Sequence, residues 1–139
     1  MPRISEDIGK LLLRVTLGGL MLFHGVAKIT GGIDGISGML TANGLPAAMA
    51  YGVYVGEVLA PLLILIGLLT RLSSGVLAFN MVVATLLAHS GDLLKIGEHG
   101  GWAVELQMLY LLPAVALVFL GPGHFSVDAQ RKTAVSDAG

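Results

Sequence analysis

The stretch "AAMAYGVYVGEVLAPLLILIGLLT", residues 47–70, carries a single charge, Glu57. A surface helix of a water-soluble protein pairs an apolar stripe with a charged face. This stretch is apolar on every face, and at ~1.5 Å per residue it is long enough to cross a hydrocarbon core of ~30 Å. It reads as a transmembrane helix. Similar segments occur at about Ile8–Ile29, interrupted by Gly9, Lys10, Arg14 and His24, at about Leu72–His89, without a full charge, and at about Trp102–Leu120, holding Glu105. Membrane strands would need only about ten residues each and would alternate in polarity. These segments do not alternate. The expected fold is an all-α membrane protein, a four-helix transmembrane bundle with short loops. Residues 1–128 form that domain, with spans at about 8–29, 47–70, 72–89 and 102–120, and residues 129–139 form a polar, disordered tail.

The composition agrees. The chain is 55% hydrophobic with a mean hydropathy of +0.84. It is 12% charged, against ~25% in a soluble domain. Its 20 glycines suit membrane helices. A net charge of −1 offers nothing to nucleic acid, and the absence of cysteine excludes disulfides, thiol redox chemistry and thiolate metal sites. The first apolar run lacks a small-residue cleavage pattern and contains Arg14, so no cleavable signal peptide is expected.

The connections are short and marked by turn residues. "TGGIDGISGMLTANGLP", residues 30–46, is glycine-rich, with room for a short interfacial helix at Ile36–Leu40. "SGDLLKIGEHGG", residues 90–101, joins the third and fourth spans, and "GPGHFSVD", residues 121–128, stops the fourth. Arg3, Lys10, Arg71, Arg131 and Lys132 fall on one side of the bundle, Lys28 and Lys95 on the other. The positive-inside rule then puts both termini in the cytoplasm, with Tyr51 and Trp102 as aromatic anchors at the opposite interface.

Ionisable residues within the spans are the informative ones. His24 lies roughly 8 Å below the outer surface and Glu57 roughly 15 Å, near the midplane. His89, Glu105 and Lys28 mark the outer ends of their helices, so every span contributes an ionisable group to the outer half. His24 and Lys28, one turn apart, share a face. A charge at the bilayer centre costs ~2.5–3.5 kcal/mol. Glu57 must therefore be paired, protonated or facing a watery cavity, with His24 and Lys28 as partners. Arg14, in the inner half, pairs with Glu57 from below or snorkels to the cytoplasmic face. Pro61 cannot donate to the Glu57 carbonyl, which makes a local polar spot. Gly52, Gly56 and Ala60 form a stripe of small residues that admits a close helix neighbour. Plainer readings stand beside these: a structural ion pair for Glu57, a snorkelling Lys28, a helix-capping His89, and a Glu105 that answers its helix dipole. Histidines and carboxylates suit zinc or iron, but there is no HExxH and no Glu-x-x-His, so no metal is expected.

The chain resembles the DoxX family of small four-helix membrane proteins. The resemblance rests on "LLLRVTLGGLMLFHGVAK" (Leu11–Lys28), "GEVLAPLLILIGLLTR" (Gly56–Arg71), the His89 end of the third span, "ELQMLYLLPAVALVFLGPG" (Glu105–Gly123) and "HFSVD" (His124–Asp128). His124 and Phe125 stand where arginine and tyrosine are common in the family. The resemblance implies membrane redox work. One branch resembles the quinone-reducing subunit of thiosulfate:quinone oxidoreductase. Other members are described as partners of thiol-oxidation or superoxide-defence proteins.

Three functions follow as expectations. The first is a redox-associated subunit of the cytoplasmic (inner) membrane that binds a quinone or similar small lipophile. The ligand-binding or proton-transfer candidates are His24, Lys28, Glu57, His89, Glu105 and Arg14. Histidine titrates near neutrality and burial lifts a carboxylate toward it, so the two can pass protons. Lys28 would favour an anionic reduced form of the ligand. The sequence offers no electron carrier of its own, so a soluble or membrane redox partner protein is expected to supply electrons. The second is a non-catalytic assembly subunit that recruits a partner. The third, a small-solute or proton pathway, needs a homo-oligomer.

Overall fold

The computed structural model describes residues 3–137. Its elements are helical: α1 (Ile4–Gly31), α2 (Asp34–Ala42), α3 (Ala47–Ile66), α4 (Thr70–His89), α5 (Glu105–Leu120) and α6 (Val127–Asp137). Three helical segments are long and apolar enough to cross a membrane: Ile4–Gly31, Ala47–Ile66 and Thr70–Asp92. Helix α5 is a shorter apolar helix. The chain is a membrane protein by these helices, and its environment is a lipid bilayer.

The helices start and stop for identifiable reasons. Glu6 and Asp7 in the first turn of α1 and Lys28 in its last answer the helix dipole. Helix α3 ends at Gly67, whose φ of 72° suits glycine. There Leu68 N–H reaches Leu63 O at 2.9 Å and Gly67 N–H reaches Ile64 O at 3.2 Å, the paired bonds of a Schellman cap. This stops α3 four residues before the expected Thr70, and Thr70 instead opens α4. Helix α5 begins at Glu105 rather than Trp102. Trp102 is held outside it, bridged to Ile96 and donating from its indole to Leu93 O at 2.8 Å. The interfacial helix expected at Ile36–Leu40 is present as the longer α2.

Residues from Ala129, expected to be disordered, continue α6 to Asp137, while Ala138 and Gly139 lie outside the described residues. The Ser126 hydroxyl starts that helix by accepting from Ala129 N–H at 3.2 Å.

Helices α1, α3, α4 and α5 pack around one narrow core of Leu17, Met21, Ala60, Ile64, Leu77, Ala78, Met81, Ala114 and Leu117. The largest apolar side chains point the other way: Phe23 and Phe119 are 75% exposed and Phe79 is 71% exposed. Buried polar residues such as Thr70, Ser73, Ser74 and Thr85 lie among the helices. Apolar outside and partly polar inside is the distribution that lipid selects, because hydrocarbon offers a phenyl ring no penalty and a hydroxyl no partner.

The described chain ends come together at one end of the bundle, which also holds the end of α3, the start of α4 and the end of α5. There the guanidinium of Arg14, 1% exposed, sits in a cage of main-chain oxygens. It donates to Ile64 O at 2.9 Å, Leu65 O at 2.8 Å, Pro122 O at 2.9 Å and Phe125 O at 2.7 Å. These oxygens belong to the end of α3 and the turn after α5, where helical carbonyls lack partners and carry partial negative charge. Asp7 accepts from His124 N–H at 2.9 Å. Asp128 accepts from Leu69 N–H, Thr70 N–H and the Thr70 hydroxyl, and so caps α4 from a distance. Gly67 is required here, since a Cβ would press on Arg14 and Ser126.

Candidate functional site

Pro61 shapes the helix around Glu57. Lacking an N–H, it cannot donate to the carbonyl four residues earlier. Residues Val55–Leu59 widen into a π turn, in which Ala60 N–H bonds to Val55 O five residues back. Such single wide turns recur at functional sites, because they re-aim side chains while keeping the backbone bonded. Glu57 sits in the middle of the turn and is buried, 6% exposed. Helix α1 approaches the turn so closely that a Cβ on Gly25 would overlap Glu57 O. The small-residue stripe expected on α3 works differently. The space at Gly56 is filled by the Asn80 side chain, and Gly52 has nothing near it. The close approach is made by Gly18 and Gly25 of α1 instead.

The Glu57 carboxylate is incompletely satisfied. Oε1 accepts from Asn80 Nδ2 at 3.3 Å. Oε2 lies 3.5 Å from Lys28 Nζ, an ion contact too loose to count as a hydrogen bond, and has no hydrogen-bond donor. Lys28 is in turn held near Tyr54, whose hydroxyl donates to Lys28 O at 3.3 Å. Beside Glu57 lies a cavity of about 130 Å³ lined by Met21, His24, Glu57, Met81, Ala84, Leu106, Gln107 and Tyr110. Helices α1, α3, α4 and α5 all contribute. The His24 ring meets the Tyr110 ring edge-on, with centroids 5.4 Å apart and planes at 84°. Gln107 Oε1 is buried and also lacks a donor. Two residues of this wall, Glu57 and Gln107, therefore carry buried oxygens that accept nothing from the protein, in a space otherwise walled mainly by Met, Ala and Leu.

Of the sequence candidates, the structure brings His24, Lys28 and Glu57 together. It places the others elsewhere. His89 Nδ1 is 3.5 Å from Asp92 Oδ2, and Lys95 Nζ is 2.9 Å from Asp92 Oδ1, a partly exposed group on the loop after α4. Glu105 is exposed at the start of α5, its carboxylate folded back over Gly101. Arg14 neither pairs with Glu57 nor reaches the surface. Helix-end carbonyls hold it. Asn80, Gln107 and Tyr110 were missed because the search weighed full charges. Their signals were Asn80 within an otherwise uncharged span, and Gln107 and Tyr110 three apart on one helical face. Among the described residues no group of three or more His, Asp or Glu could hold a metal ion.

The sequence pattern of the DoxX family matches residues 9–90. Three curated proteins align over most of their length. A Bacillus subtilis protein named "Putative oxidoreductase CatD" is 31% identical over 89% of this chain and 87% of its own. A Haemophilus influenzae chain named "Uncharacterized protein" is 30% identical over 84% and 85%. A Mycobacterium tuberculosis chain named as an uncharacterized membrane protein is 29% identical over 96% and 91%. No solved structure matches the chain.

Proposed function

The chain belongs to the DoxX family, and we propose that it is a redox-associated subunit of the cytoplasmic membrane that binds the head of a quinone-like lipophile in the cavity beside Glu57. Four helices span the bilayer in this reading. Helix α5, at 16 residues, is ~24 Å long, short for a ~30 Å core, and modest thinning accommodates it. The lysine and arginine distribution supports cytoplasmic termini. The Arg14 cage then lies on the cytoplasmic side and the cavity in the outer half.

The observation that carries the reading is the pair of unmet acceptors, Glu57 Oε2 and Gln107 Oε1, at one cavity. A buried acceptor without a donor costs about 1–3 kcal/mol. A ligand with hydroxyl groups would relieve both, and a quinone in its reduced form has two. When bound, such a group would carry electrons together with protons. His24 and the Tyr110 hydroxyl can donate to carbonyl oxygens of the oxidised form, while Glu57 can accept a proton from the reduced one. Lys28 Nζ stands 3.5 Å from the carboxylate. In this reading a partner protein supplies the electrons, and with no cysteine the chain holds no thiol or thiolate-bound redox centre. The printed name of the Bacillus subtilis relative is in keeping with redox work.

The test is native mass spectrometry with lipid extraction on detergent-purified wild type and Glu57→Gln, with thermal unfolding in parallel. The expected result is a quinone that co-purifies with wild type and is lost from a folded Glu57→Gln. A partner protein retained by both, with no small molecule in either, would replace this reading with a non-catalytic assembly subunit.

A further inference from the structure

A second hollow adjoins the cavity. It measures about 360 Å³ and lies between α1 and α5, lined by Leu13, Thr16, Leu17, Leu20, Leu106, Leu109, Tyr110 and Pro113. Leu106 and Tyr110 line both spaces. On α1, Leu13, Leu17 and Leu20 form one stripe, and on α5, Leu106, Leu109 and Pro113 form another. The two stripes face each other without filling the space between. Its rim is open to the surroundings, with Leu20 50%, Leu106 51% and Leu109 67% exposed. In a bilayer that means open to lipid.

The direction of the hollow matters. On both helices its residues extend from the level of the cavity toward the end where the chain termini meet. Leu13 precedes Met21 and His24, and Pro113 follows Leu106 and Gln107. From Leu20 to Leu13 the groove runs ~10 Å, from the level of the polar head site toward the end of the bundle that holds the Arg14 cage. Tyr110 stands at the junction of the groove and the polar cavity.

We propose that this groove holds the prenyl tail of the cavity's ligand, and that the ligand enters sideways from the bilayer between α1 and α5. The proposal rests on the head-site reading above. Its own support is the continuity of groove and cavity through Leu106 and Tyr110, the apolar lining, and a rim of leucines open to lipid. A head that crossed from the aqueous side would need no such slot.

The experiment uses full-length protein in nanodiscs and two probes: a tailless benzoquinone and the same head carrying two isoprenyl units. Calorimetry gives the affinity of each for wild type, Leu109→Trp and Leu20→Trp. Both substitutions fill the groove from exposed rim positions on opposite helices, at residues that do not themselves line the cavity, so if one misfolds the other still reads the effect. Identical nanodiscs cancel partitioning of the tailed probe when variants are compared. The expected result is at least tenfold tighter wild-type binding of the tailed probe. A folded groove variant should lose most of that advantage and keep tailless affinity within twofold. Equal affinity of the two probes for wild type would overturn the groove assignment and leave the head site standing. A tail advantage that both variants retain would also overturn it. Binding of neither probe would overturn the head-site reading and this proposal with it. A phospholipid that co-purifies with wild type, is lost from Leu109→Trp, and leaves the tail advantage unchanged would assign the groove to bilayer lipid instead.

Discussion

Gly25 of α1 stands directly against the backbone of Glu57, with no room for a Cβ between them. That contact brings α1, with His24 and Lys28, up to the π turn, so a glycine far from any turn positions the site. Replacing it with alanine should force the helices apart. Overpacking of this kind costs about 1–3 kcal/mol, and the value should sit at the top of that range because the obstacle is backbone. Gly19→Ala, where nothing lies within 4 Å, should be neutral or slightly stabilising, since alanine is the better helix former. Thermal unfolding in detergent should show a lower Tm for the first and an unchanged or higher Tm for the second.

Gln107 should trade stability against binding. Its buried Oε1 lacks a donor, so Gln107→Met removes an unsatisfied group at similar volume. The ligand-free protein should gain about 1 kcal/mol, while quinone affinity falls. Unfolding and ligand titration on the same preparation check both directions. A variant that is destabilised without ligand would show that the oxygen is satisfied in the membrane.

Arg14→Lys should be far from conservative. The guanidinium serves four carbonyls from one fixed fork, and an ammonium cannot reproduce that geometry. Hydrogen bonds to a charged group contribute about 1.5–3 kcal/mol each, so a loss of at least ~2 kcal/mol is expected. Limited proteolysis should cut first near Pro122–Ser126, which Arg14 ties to α3. Ligand affinity of the folded fraction should be unchanged, since Arg14 does not line the cavity.

Asp128 makes the fold sensitive to acid. Partial burial alone would raise its pKa. The Thr70 and Leu69 N–H groups, the Thr70 hydroxyl and the nearby Arg131 outweigh this and hold it below the ordinary 3.8. A carboxyl held low stabilises the fold fully above its ordinary value and loses that contribution as pH falls through the folded one. Wild type should therefore lose Tm steeply below about pH 3.8, and Asp128→Asn should flatten that part of the profile while lowering Tm at neutral pH.

His89→Ala and Glu105→Ala should leave ligand affinity within twofold. Neither lines the cavity, and the contact of His89 with Asp92 is partly solvated, where such contacts contribute little. His24→Ala should weaken binding in the same titration. A strong effect of either outer residue would mean that the site extends into the loop after α4.

The apolar helices and their order were determined by the sequence alone, because length and hydropathy answer directly to the thickness of a bilayer. The polar spot next to Pro61 was legible for the same kind of reason, since a missing N–H is a local covalent fact. Depth is a property of one helix; the direction a side chain faces is a property of the packing. His89 and Glu105 do not line the cavity, while the neutral Gln107 and Tyr110 do and Asn80 bonds Glu57. The π turn was equally invisible, although one extra residue in a turn re-aims everything beyond it. Arg14 is the clearest case. Its partners are main-chain oxygens of Ile64 and Leu65 at a helix end and of Pro122 and Phe125 in the turn after another, and every residue has such a carbonyl. Only the tertiary structure decides which of them lack an N–H and are gathered at one point, and so whether a buried cation finds a carboxylate or a cage of dipoles.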